Sequence, residues 1–327
     1  MLQGIKTAVK AVLPKALGGS AKPRAVFPVV RMEGMIQSGG RGLSSDRINY
    51  NVFAPMLQKA FATKNAPAVV LVINSPGGSP VQSSLLYKEI RRLKKKHSLP
   101  VHAFVEDMAA SGGYYIACAA DDIICDESSI VGSIGVISQS FGCKEAIAKV
   151  GLESRILTAG RVKNQSDMFG DVSAENQERT TMLLSQMHDT FKGVVAESRG
   201  GKLNLDLGME WTLKVNQGLD VEEGDGLYDG SVYDGKRAVE LGFADKVDTM
   251  SSWMESKYSE NDTVEVKFKE MKKSRGFPFG GGMGAQFGAL PFGQQRVSMD
   301  TITDHAVSSV LGKLKEEELW GSYGVKF

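Results

Sequence analysis

The sequence predicts an α/β protein built on a mainly parallel sheet, and three observations carry that prediction. Ala68-Val69-Val70-Leu71-Val72-Ile73 is an unbroken apolar run, rich in β-branched residues and followed by Pro76 and Gly77, the pattern of a strand buried on both faces. A helical period follows it directly, from Ser79 to His97. Strand-like and helix-like segments then alternate at short intervals, which requires right-handed crossovers between parallel neighbours.

Each element has its own justification. Between Ser79 and His97, Val81, Leu85, Leu86, Ile90 and Leu93 share one helical face, while Lys94, Lys95 and Lys96 fill the last turn, where cations suit the helix dipole. That lysine run reads as a solvated helix end, not as a nucleic-acid patch. Val101 to Val105 is a second strand, and a turn at Ser111 leads into a short helix through Ala120. Asp122 to Cys125 is a third strand, and Gly135-Val136-Ile137 begins a fourth. A helix near Lys144 to Val150 precedes a strand from Ser154 to Leu157.

Ser173 caps a long helix that Gly200-Gly201 stops, with Leu183, Leu184, Met187, Phe191, Val194 and Val195 as its core stripe. Lys236 to Leu241 is a short helix ended by Gly242. Beyond Val247 the character changes. Val264, Val266 and Phe268 alternate with charge as in an exposed strand, 276–293 is a Gly/Phe/Pro-rich loop, and 300–320 has the pattern of an amphipathic helix. The expected organisation is a basic segment 1–26, a core domain 27–250 and a C-terminal extension 251–327.

Bulk properties exclude several classes. The 327 residues carry a net charge of +1, so no global field argues for nucleic acid. Cys118, Cys125 and Cys143 are odd in number and form no C-x-x-C pair, which argues for free thiols over a disulfide framework or a metal site, and no cofactor is expected. No stretch reaches the roughly 18 apolar residues of a membrane span. Lys6, Lys10, Lys15, Lys22 and Arg24 all precede the first acid, Glu33. That stretch fits an address for an organelle such as the mitochondrion or plastid, a membrane-peripheral anchor, or a disordered tail.

The chemistry concentrates in two glycine-bearing turns. In Ala109-Ala110-Ser111-Gly112-Gly113-Tyr114-Tyr115 a lone serine stands among small residues ahead of a helix, which exposes its hydroxyl and leaves the Gly112 N–H beside it. Asn74-Ser75-Pro76-Gly77-Gly78, at the end of the first buried strand, can supply a second donor through Gly78, so the pair suits an oxyanion. A serine needs a base. His97, His102, His188 and His305 fall at no strand-end loop, so a Ser-His-Asp triad has little support. Lys163, in Thr158-Ala159-Gly160-Arg161-Val162-Lys163, lies just past an expected strand end. A lysine buried in a cleft can act as a neutral base, and Arg161 nearby would disfavour its charged form.

These two turns, with Val131-Gly132-Ser133-Ile134-Gly135-Val136 and Val232-Tyr233-Asp234-Gly235-Lys236-Arg237-Ala238, resemble the signal peptide peptidase A family of serine peptidases (the protease IV and SohB group). The resemblance covers roughly residues 27 to 250, in the family's order. It implies a Clp/crotonase-like α/β fold, with the C-terminal strand and helix as an extension, and an ATP-independent endopeptidase acting on signal-peptide-like or membrane-derived peptides. By that resemblance Ser111 is the nucleophile, Lys163 the general base, Gly78 and Gly112 the oxyanion hole, and Ser133 the residue that orients the lysine. It also implies a homo-oligomeric ring with sites completed between subunits. Asn164 after the lysine and the lack of a membrane span depart from the family pattern. Two other readings stay open on the residues alone: a non-catalytic peptide-binding scaffold, and an acyl-CoA-binding enzyme of the related crotonase fold.

Overall fold

The computed structural model of the chain describes residues 24–38, 47–165, 167–215, 226–258 and 265–271. The expected loop at 276–293 and helix at 300–320 lie outside the described residues, as does the basic segment before Arg24. In chain order the strands are β1 (Arg24–Glu33), β2 (Val69–Ser75), β3 (Val101–Ala110), β4 (Asp122–Cys125), β5 (Ile130–Gly132), β6 (Val232–Tyr233), β7 (Lys246–Val247) and β8 (Glu265–Glu270). The helices are α1 (Tyr50–Phe61), α2 (Pro80–His97), α3 (Gly112–Ala117), α4 (Lys144–Lys149), α5 (Ala174–Arg199), α6 (Leu205–Val215), α7 (Gly235–Glu240) and α8 (Met250–Tyr258).

The strands form one sheet in the order β6-β5-β3-β2-β1-β8, with β4 also beside β3 and β7 beside β4. Every pairing is parallel except β5 with β6, so the chain is an α/β protein with a mainly parallel sheet. The apolar run in β2 is continuous because both faces are covered. Val69, Leu71 and Ile73 join the larger core under α1, α2 and α3, while Val70 and Val72 join a second cluster with Trp253, Met254 and Tyr258 of α8. Ser79 caps α2 by accepting from Gln82 N, and Pro80 takes the first helical position, where its missing N–H costs nothing. β8, the strand expected within 263–269, pairs with β1.

β3 is twice as long as its sequence pattern suggested, and it serves two neighbours. His102 to Val105 pair with β4, and Met108 to Ala110 pair with β5. The fourth strand therefore falls at Ile130–Gly132, not at 135–137, because the second half of β3 dictates where it docks. Residues 154–157, expected as a strand, form none; they are exposed, and no strand lies beside them among the described residues. The stripe expected to bury α5 is buried only in part: Phe191 and Val195 are, while Leu183 and Met187 are 51% and 39% exposed. The base of α5 is fixed by Arg199, which is buried and donates to Gly242 O at 2.9 and 2.7 Å and to Asp245 at 2.7 Å.

A buried polar chain pins α8 to the sheet. His102 is 1% exposed, with Nδ1 2.8 Å from Asp122 Oδ2 and Nε2 2.6 Å from the Tyr258 hydroxyl. Lys257 reaches the same Asp122 oxygen at 2.6 Å and lies over the Trp253 ring. Burial pushes the His102 imidazole below its ordinary value, against the pull of Asp122. Burial alone would raise Asp122, but His102 and Lys257 outweigh it and hold the carboxyl well below the usual range. For both groups the unfolded chain takes up its proton at a higher pH than the folded one. Their contribution is therefore whole at neutral pH and is lost on acidification, from about 6.5 downward for His102 and from about 3.9 downward for Asp122. The melting temperature should fall between about pH 6.5 and pH 5. A His102→Gln variant, less stable throughout, should lose much of that slope in a thermal-melt series.

Candidate active site

Because β1, β2 and β3 are parallel, their C-terminal ends gather at one edge, the usual place for a site in such sheets. β3 ends at Ala110 and α3 starts at Gly112, so Ser111 alone makes the turn, at φ 50° and ψ −119°. A side chain held there stores about 1–3 kcal/mol of strain, which the surroundings must impose. They do so from both sides. Ser111 N donates to Gly132 O at 2.8 Å, and Ser111 O accepts from Tyr115 N at 2.9 Å. The Tyr114 hydroxyl anchors α3 by donating to Phe243 O at 2.9 Å. A sharp strand-to-helix turn of this kind presents a serine hydroxyl at the rim of the sheet.

The turn after β2 is packed backbone to backbone against it. Ser75 is fully buried; its hydroxyl donates to Gly34 O at 2.7 Å and accepts from Gly77 N at 3.2 Å. Ile36 brackets Gly78 from the other side, its N–H donating to Gly77 O at 2.8 Å and its carbonyl accepting from Ser79 N at 2.7 Å. A Cβ on Gly77 would stand 2.8 Å from both Gly112 N and Ser111 Cβ, and one on Gly78, at φ 138°, would stand 2.1 Å from Ile36 O. Gly78 N itself lies 3.4 Å from where a Gly112 Cβ would be. With Ser75 taking Gly77 N, and with the first amides of α3 beyond the reach of intrahelical acceptors, Gly78 N and Gly112 N have no acceptor among the described residues. Two free amides beside a hydroxyl can stabilise the oxyanion of a tetrahedral adduct.

Ser133 sits one residue past the carbonyl that holds Ser111. It too has a positive φ, 54°, and its N–H donates to Ser231 O at 2.7 Å. Three partners of this site were not read from the sequence: Ile36, Ser231 and His188. His188 Nε2 donates to Ile134 O at 3.0 Å, tying α5 to the strand end that carries Ser133. Only tertiary contact brings these three in, so spacing could not reveal them. Cys118 is no competing nucleophile; complete burial pushes its thiol up to about 12.

Within one chain Lys163 stands apart from Ser111. It lies exposed in a turn, its N–H donating to Gly160 O at 3.1 Å, and no hydrogen bond joins it to Ser111 among the described residues. Arg161, expected beside the lysine, pairs with Glu175 at 2.6 Å. None of the described residues from 136 to 190 is buried. α4 has no buried residue, and Ile137, Val150, Leu152, Leu157, Val172 and Met182 are all more than half exposed. One chain brings Ser111 and the two amides together and leaves Lys163 on an arm of exposed apolar residues.

Residues 93–207 match the family described as Peptidase family S49. A signal peptide peptidase SppA of Enterococcus faecium is 29% identical over 243 residues, covering 74% of this chain and 65% of that protein. A protease of Methanocaldococcus jannaschii is 29% identical over 237 residues, covering 70% of each. A Brucella abortus protein named Na(+)/H(+) antiporter NhaA is 39% identical over 299 residues, covering 91% of this chain but 37% of its own length. This chain thus spans little more than a third of that relative. No helix among the described residues is long and apolar enough to cross a membrane.

Proposed function

We propose that this chain, which carries a peptidase family S49 domain, is an ATP-independent serine endopeptidase that uses a Ser–Lys pair. The observation that carries the reading is the pair of acceptor-free amides, Gly78 N and Gly112 N, beside a serine forced into a strained turn. Ser111 Oγ attacks the peptide carbonyl as Lys163 takes its proton, and the two amides hold the oxyanion. Lys163 then protonates the leaving amine, and water releases the acyl group from Ser111. Ser133 orients the amine. The resemblance to signal peptide peptidase A supports signal-peptide-like or membrane-derived peptides as substrates.

A lysine serves as base only where burial favours its neutral form. Lys163 lacks such burial within one chain, and the apolar arm around it lacks a cover. Exposed apolar surface on this scale marks an interface. Both needs are met if the arm docks on a neighbouring copy and delivers Lys163 to that copy's Ser111. Head-to-tail repetition of that contact closes a ring. The test is a serine-directed acylating probe on the pure protein, followed by peptide mass mapping. Adduct on Ser111, together with cleavage of a model signal peptide, is the expected result; no adduct and no cleavage by the assembled protein would refute the proposal.

His188 gives a second check on the site. Its bond to Ile134 O fixes the strand end that bears Ser133. His188→Leu should lower kcat by about ten- to a hundredfold through misplacement, with KM little changed. His188→Gln, which keeps a donor at similar reach, should recover most of it in steady-state assays.

A further inference from the structure

The end of the molecule opposite Ser111 carries charge that its own fold leaves unbalanced. β1, β2 and β3 run parallel, so Arg24, Val69 and Val101 begin at one pole. α2 runs back to that pole and brings Arg91, Arg92, Lys94, Lys95 and Lys96 with it; Arg91, Arg92, Lys94 and Lys95 line a shallow cleft there. α1 ends alongside. The Phe61 and His97 rings are 6.0 Å apart and Gln58 donates to Glu89 at 3.1 Å, which sets Lys59 and Lys64 beside the end of α2.

Acids answer part of this charge: Glu197 pairs Arg91 at 2.9 Å, Glu89 pairs Arg92 at 2.7 Å and Asp121 pairs Lys94 at 2.5 Å. Lys59, Lys64, Lys95 and Lys96 are exposed and have no ion pair among the described residues. The C-terminal ends of α1 and α2 carry about half a negative charge each, so together they offset about one of these four lysines. In the sequence, Lys6, Lys10, Lys15 and Lys22 precede Arg24 with no acid among them, and the chain enters β1 at this same pole.

We propose that this pole is a docking face for an anionic lipid surface. Lysines are point charges that suit a plane of phosphate headgroups, and among the described residues Phe61, the aromatic side chain at this face, is buried and offers no platform for stacking nucleobases. The 18 residues of α2 span about 27 Å, so the lipid plane lies about that far from the Gly78 and Ser111 turns, and the mouth of the site opens away from it. The proposal does not depend on the peptidase reading.

The test is co-sedimentation of the full chain with vesicles of phosphatidylcholine alone or mixed with phosphatidylglycerol. Binding to the anionic vesicles only, weakened by salt, is expected. Lys59→Gln, Lys64→Gln, Lys95→Gln and Lys96→Gln together should reduce that binding several-hundredfold, at about fivefold per lysine, with the thermal melt unchanged because all four side chains are exposed. Equal binding to both vesicles, no binding, a loss under about tenfold in the fourfold variant, or tighter binding to duplex DNA than to the anionic vesicles would overturn it.

Discussion

Neither Ser111→Ala nor Lys163→Ala should cleave peptide alone, yet the two mixed after dissociation and reassembly should. Each single change removes one half of the proposed nucleophile–base pair and should lower kcat by about four orders of magnitude or more. The rescue follows from the geometry of the single chain. Ser111 is locked in place by Gly132, Tyr115 and the Gly77 turn, while Lys163 sits on an exposed turn of an arm with no buried residue in α4. If the arm of one subunit completes the neighbour's site, an equal mixture places an intact serine opposite an intact lysine at about a quarter of its interfaces. About a quarter of wild-type activity should return. If both groups of a site come from the same chain, no mixture recovers anything. Activity of the mixture against its two parents therefore separates the two arrangements with one assay. Loss of activity in Lys163→Ala without rescue would retain the catalytic pair and reject the shared site.

What the sequence could show, and what it could not, divides along the same line between one chain and several. β2 was legible because burial on both faces makes Val69 to Ile73 an unbroken apolar run, and the turn after it because glycine is needed wherever backbones touch, as Gly77 touches Ser111. The hydroxyl was legible because its neighbours had to be small. Of the stripe Leu183, Leu184, Met187, Phe191, Val194 and Val195, read as core throughout, the half from Phe191 on is core and Leu183 and Met187 are exposed, for a physical reason. Helical spacing reports that a face is apolar, not what covers it, and in one chain only its last turns are covered. Ser154 to Leu157 suggested a strand in the same way, although none of the described strands lies beside them. β5 was displaced because β3 divides its length between two partners, which no local period encodes. His188 was invisible as a site residue because its partner is a backbone carbonyl on a distant strand.

Gly78→Ala should lower kcat by about 100- to 1,000-fold, and Gly112→Ala should do much less and be repairable. Both replacements add one methyl beside the proposed oxyanion site, so the difference tests how the two amides are held. At Gly78 the methyl would meet the Ile36 carbonyl oxygen at 2.1 Å and carbon at 2.9 Å, at a φ of 138° that residues with side chains rarely adopt. Ile36 cannot yield, because its own N–H and C=O are engaged by Gly77 and Ser79. The Gly78 amide must therefore swing off target, and kcat falls with KM nearly unchanged. At Gly112 the closest atom is Ser83 Oγ, at 2.4 Å, with Ile36 Cδ1 next at 3.1 Å; both are side-chain ends and φ is not positive. Overpacking there costs about 1–3 kcal/mol of stability. Ser83→Ala removes the obstructing oxygen and only its bond to Ser79 O, so the Gly112→Ala/Ser83→Ala pair should regain most of the melting temperature and kcat. Steady-state kinetics and thermal melts on the three variants decide it. Equal losses at the two glycines, or a double variant no better than Gly112→Ala, would mean that Gly78 N and Gly112 N are not the donors that face the reacting carbonyl.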